Sequence, residues 1–137
     1  MPVKDYEAFA TTVTQLRLNP PYQVAEAIRR RSGAAAMAAA GADSTDQAAV
    51  LLLIGTWERI AIMAGGLSPA QRAKFFRCAP VKLMWEALRP AIDALGGAER
   101  FAPEFERLSR SYESWLGRAE GREFRSVERQ TICAMFG

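Results

Sequence analysis

The chain has 137 residues, 50% of them hydrophobic and 24% charged, a composition that folds and that suits about one ordinary core. Its formal net charge is +3: residues 1–66 carry six charges of each sign, and residues 67–137 carry twelve basic against nine acidic. Charge so interleaved does not point to nucleic acid, and a chain without histidine and with only two distant cysteines, Cys78 and Cys133, has no zinc site of the usual kind.

The first element is an amphipathic helix over residues 3–18, where Tyr6, Phe9, Val13 and Leu16 recur at helical spacing. Asn19-Pro20-Pro21 ends it, because proline lacks an amide and disfavours helical geometry before it. A second helix is expected from Tyr22 to Arg31 with Val24 and Ile28 inward, broken at Ser32-Gly33. The alanine tract at 34–42 reads as a short helix that packs closely, with a frayed connector as the alternative.

Ser44, with Gln47 three residues on, starts the central helix, whose stripe of Val50, Ile54, Trp57, Ala61 and Ala64 is widened by Leu51, Leu53 and Ile60 until Gly65-Gly66 stops it. Ser68-Pro69 with Gln71 caps a short helix ending near Cys78. After Pro80, Val81, Trp85, Leu88, Ile92 and Leu95 form one stripe, with a kink expected at Pro90; after Gly96-Gly97, Phe101, Phe105, Leu108, Tyr112 and Trp115 form another. The two stripes are expected to face each other as an antiparallel hairpin. No stretch alternates as a strand does, so the fold class is all-α, a single compact bundle of five to six helices in one domain over 1–137. Within it, 1–31 supply N-terminal helices, 44–117 the core helices, and 118–137 a C-terminal helix or arm.

Two Trp-Glu pairs, 28 residues apart, are the conspicuous local feature. Helical neighbours point about 100° apart, so Trp57 and Trp85 at the centre of apolar stripes place Glu58 and Glu86 at the boundary, where each needs a partner. Lys82 and Arg89 flank Glu86 at helical spacing, and Arg59 is available on the preceding helix; ion pairs are the expected role. The alternative is a pair of carboxylates converging on one pocket as acid and base or as metal ligands, which requires them within roughly 5–10 Å. Nucleophilic catalysis lacks a histidine base, and neither phosphate-cradling glycine motif occurs, so no enzyme activity, cofactor or metal is expected.

Arg29-Arg30-Arg31 complements the negative end of a helix dipole or, alternatively, meets an anionic partner or membrane surface. RAKFFR at 72–77 has the mixture of a peripheral anchor, with one of Phe75 and Phe76 expected inward and the other exposed. Phe136 sits in the apolar ending ICAMF. The cysteines read as buried and reduced. The N-terminus, with acids at 5 and 7 and no long apolar core, does not read as a signal peptide, and AAVLLLIGTW at 48–57 is stopped by Glu58 and Arg59 short of a membrane span of about 20 residues, so a soluble cytoplasmic protein is expected.

The segments TWERIAIMAGGL, MWEALRPAI and FAPEFERLS resemble, in that order, a family of small helical bacterial proteins known as a domain of unknown function, over about residues 28–116. Its pattern is an aromatic-Glu pair followed by glycine, a short helix, W-E-x-L-x-P-x-I and a later F/Y-x-x-F-E-x-L. Members often begin with a membrane helix, where this chain has an amphipathic one. The resemblance implies a helical fold and no particular reaction. The expected function is a non-enzymatic interaction module, a homodimer or a binder of another protein, with the N-terminal helix or the tail at the interface. The alternative is a bundle that binds a small ligand between Trp57, Trp85 and Trp115.

Overall fold

The structure, a computed structural model, describes residues 5–118. Among them it is all-helical, with eight helices: α1 (Tyr6–Leu18), α2 (Pro20–Ser32), α3 (Ala34–Ala39), α4 (Thr45–Ala64), α5 (Pro69–Cys78), α6 (Val81–Leu95), α7 (Ala98–Phe101) and α8 (Pro103–Leu116). The excess over five to six comes from the short α3 and α7, which the turn residues around them separate from longer neighbours. Phe136, Cys133 and the rest of the C-terminal arm lie outside the described residues.

Local chemistry sets these boundaries. Asp5, Ser44 and Ser68 cap α1, α4 and α5 through their side chains, and Ser68 and Gln71 complete a reciprocal capping box. Pro20 and Pro21 open α2 instead of merely ending α1, since the first turn of a helix has no use for their missing amides. Gly33 then breaks the chain at φ 85°, a left-handed conformation that side chains disfavour. α6 runs through Pro90, which is exposed.

α4 lies against α1, α2, α3, α6 and α8 and is the central element. Its Val50, Leu53, Trp57, Ile60 and Ala64 are fully buried. The alanine tract does pack closely: α3 buries Ala34, Met37 and Ala38, lies against α6, and is tied to α4 by Gln47 Nε2 donating to the Ala38 carbonyl at 2.8 Å.

Three faces differ from their expected register. In α2, Tyr22, Ala25 and Glu26 face inward and Val24 is 61% exposed, because the helix docks through its tyrosine and not through its β-branched residue. In α6 the buried row is Val81, Met84, Leu88 and Ile92, which rotates Trp85 to the margin, half-buried. In α5 both phenylalanines go inward: Phe75 stacks edge-on to Phe9 at 5.3 Å and Phe76 edge-on to Tyr112 at 5.2 Å, so the pair links α1 to α8 and neither ring is left at the surface. Cys78, the last residue of α5, is exposed with a free thiol, and not buried.

Candidate functional site

The two Trp-Glu pairs occupy different environments. Trp57 has no exposed surface; its ring stacks on Phe105 of α8 at 5.5 Å and 23°, and Trp85 meets the same Phe105 edge-on at 5.2 Å. Phe105 is thus the shared wedge between α4, α6 and α8. Trp115 is buried elsewhere, against Phe76 at 5.5 Å and Tyr112 at 5.9 Å. Trp115 thus packs on a different set of rings from Phe105, which joins Trp57 and Trp85.

Glu58 takes a role that its sequence neighbours do not announce. Its Oε1 accepts the amide of Phe105 at 2.8 Å and its Oε2 the amide of Glu104 at 3.2 Å. These are among the orphan donors of the first turn of α8, whose own N-cap is Ala102, a residue with no side-chain acceptor. The carboxylate therefore caps a helix 46 residues downstream, and the positive end of that helix stands where a cationic side chain was expected. With both oxygens engaged, it is poorly placed to move protons.

Glu86 is exposed and lines a cleft of about 400 Å³ between α6 and α8 with Lys82, Trp85, Arg89 and Arg110. The expected partners bond elsewhere: Lys82 reaches Glu113 at 3.2 Å, and Arg89 pairs with Asp93 at 3.7 Å. Glu58 is not among the residues of this cleft. The charges here are exposed and alternate in sign along a seam, where such pairs contribute about 0–1 kcal/mol each.

The larger cavity, about 560 Å³, lies between α1, α2 and α5. Val13, Leu18, Phe75 and Ala79 supply apolar wall, while Arg17, Tyr22, Glu26 and Arg30 supply polar groups. Sequence reasoning singled out Arg30 and Phe75 of its lining but did not join them into a site, because its residues come from three helices and only their packing brings them together.

The cavity touches the Trp57 anchor through two of its lining residues. The indole N–H donates to the Tyr22 hydroxyl at 3.0 Å, and the Arg17 guanidinium lies over the indole ring, 5.5 Å from its centroid. Gln23 donates to the Arg17 carbonyl, holding the α1–α2 corner together. Burial raises the Tyr22 phenol above its ordinary value of 10.0; the Glu26 carboxylate adds to the rise, while Arg17 and the hydrogen bond from Trp57 oppose it. The phenol is therefore protonated at neutral pH.

Of the arginine run, Arg29 pairs with the buried Glu26, Arg30 lines the cavity, and Arg31 is exposed. The three cations thus do not form one face. Comparison of the chain with protein-family models, with curated proteins and with solved structures finds no match.

Proposed function

We propose that this protein is a non-enzymatic helical interaction module that self-associates through the outer face of α4. The observation that carries this reading is an apolar stripe on the outside of the central helix. Ala48, Leu51, Leu52, Gly55 and Ile62 are exposed, Leu51 and Leu52 at 38% and Ile62 at 58%. At about 100° per residue these positions fall within one narrow face together with Arg59. Scattered exposed apolar residues mean little, but a continuous row on the helix that organises the core marks a contact.

Charge pattern favours a second copy as the occupant. Arg59, in the stripe, and Asp43, just before the helix, have no ion-pair partner among the described residues. They stand sixteen residues apart in sequence, Arg59 within α4 and Asp43 in the turn just before it. An antiparallel twofold pair centred on Leu51 sets Arg59 against the partner's Asp43 and repeats the contact symmetrically. A small residue in the stripe helps: Gly55 has open space where a side chain would be, so two helices can approach closely. Exposed pairs of this kind contribute about 0.2–1 kcal/mol, so they set register while the leucines and Ile62 supply affinity.

The non-enzymatic reading is supported by Glu58, whose oxygens serve backbone amides, and by Glu86, which lies in a separate charged seam. The order of the W-E motifs supports kinship with the helical bacterial family they resemble.

Analytical ultracentrifugation tests self-association. A dimer is expected, with Leu52→Glu weakening it at least tenfold, Arg59→Asp weakening it less, and Asp43→Arg with Arg59→Asp restoring it. A monomer at every concentration, or a dimer that tolerates Leu52→Glu, would contradict the α4 interface. Vesicle binding by the monomer would instead identify a membrane as the occupant, since α4 is also long and apolar enough to span one.

A further inference from the structure

We infer that residues 132–136, ICAMF, dock in the α1–α2–α5 cavity and set Cys133 against Cys78, so that a disulfide oxidant joins the two sulfurs within one chain. The inference is independent of self-association, which uses the outer face of α4. Cys78 ends α5, is exposed with a free thiol, and is itself part of the cavity lining beside Val13, Leu18, Phe75 and Ala79. Leu18 is 65% exposed, so the cavity presents apolar surface to water that an apolar occupant would cover. A volume of about 560 Å³ is that of a pocket for a drug-sized molecule, which is also the bulk of a few apolar side chains.

The chain itself supplies such a segment within reach. The last turn of α8 lies on α5: Trp115 meets Phe76 at 5.5 Å, and Phe76 lies 6.0 Å from Phe75, which lines the cavity. Cys78 stands about one helical turn beyond Phe75. The chain therefore leaves α8 two ring contacts from the cavity. From Gly117 to Cys133 is sixteen residues, which cover about 24 Å as helix and about 50 Å extended. Either length is enough. Residues 118–131 carry four arginines and three glutamates, whereas 132–136 carry no charge, so the part of the segment that water disfavours is the part that holds the cysteine. The chain has two cysteines, and docking of ICAMF brings the second to the first.

The chemistry is thiol–disulfide exchange with a small disulfide such as oxidised glutathione. The Cys78 thiolate attacks one sulfur of the oxidant; the S–S bond breaks and the first glutathione leaves as a thiol, which takes up the proton. The Cys133 thiolate then attacks the Cys78 sulfur of the mixed disulfide and releases the second glutathione, again as a thiol. Two protein thiols lose two electrons and two protons, and one glutathione disulfide gains them. Docking acts on the second step, since a cysteine held beside its partner reacts at a high effective concentration.

The experiment equilibrates the full chain in buffers of reduced and oxidised glutathione, with and without urea, blocks free thiols with iodoacetamide, and reads the products on non-reducing gels and by tryptic mass spectrometry. A disulfide between Cys78 and Cys133 of one chain is expected, with an effective thiol concentration at least tenfold higher in the native protein than in urea. Ile132→Asp combined with Phe136→Asp, which leaves every described residue in place, is expected to lower the native value at least tenfold. Ala10→Phe, which fills the cavity from α1, is expected to do the same. A native value no higher than that in urea overturns the inference. So does a value that the paired aspartates leave unchanged, because the cysteines would then meet without the apolar segment. A disulfide found only between chains would make a second copy the occupant of the cavity and also overturn it.

Discussion

Trp57→Ala is expected to lower folding stability by about 3–5 kcal/mol, the largest loss of any single substitution considered. The indole is fully buried, and a ring of this kind removes on the order of 200 Å² from water. It stacks on Phe105, carries Arg17 on its face and donates its N–H to Tyr22, so its removal undoes contacts to α8, α1 and α2 together. Against a total stability of about 5–15 kcal/mol for a natural domain, that loss approaches unfolding. Trp57→Phe separates the parts. It keeps most of the apolar volume but removes the indole's hydrogen bond to the Tyr22 oxygen, at a cost of about 1–3 kcal/mol. Urea denaturation followed by circular dichroism measures both values. Equal losses for the two variants would show that the indole N–H carries the effect and the packing does not.

Glu58→Ala is expected to cost about 2–3 kcal/mol, while Glu86→Ala is expected to change stability by no more than about 0.5 kcal/mol. The difference comes from what each carboxylate holds. Glu58 satisfies two amides at the start of a fourteen-residue helix that buries Phe105, Leu108, Tyr112 and Trp115. Removing it exposes orphan donors near the core and deletes a favourable charge at the helix N-terminus. Glu86 stands in an exposed seam where salt and water screen it. Glu58→Gln keeps one acceptor oxygen and is expected to fall between, at about 1 kcal/mol. Thermal denaturation reads the series, at roughly 3–5 °C per kcal/mol for a domain of this size. Comparable losses at both glutamates would mean that the cap is not what distinguishes them.

The pattern of helices was legible because caps, prolines and glycines act within four residues of the bonds they make. Ser44 and Ser68 sit where their side chains bond, and Trp57 lies in the middle of a stripe wide enough that its burial does not depend on register. Register failed where a stripe was narrow. One step of rotation in α6 exchanges Met84 for Trp85, and the choice depends on the shape of α8 opposite, which no local spacing records. The same holds for α2, where Tyr22 and Glu26 are drawn inward by Trp57 and Arg29.

The role of Glu58 was hidden for another reason. A search for its partner naturally looks for cations at helical spacing, but its partners are backbone amides, which every residue type carries. One trace was present: α8 begins Ala102-Pro103, with no Ser, Thr, Asp or Asn to cap it, and a buried helix start without its own acceptor must borrow one. The cavity left no such trace, since Val13, Tyr22 and Phe75 become neighbours only when α1, α2 and α5 pack.

The most direct test of Glu58 as the cap of α8 is amide hydrogen exchange at Glu104 and Phe105, read by NMR in the wild type and in Glu58→Ala. Both amides are expected to be protected in the wild type, and to lose that protection in the variant before the amides of α4 and α6 do. Fast exchange at both positions in the wild type, or protection unchanged by the substitution, would contradict it.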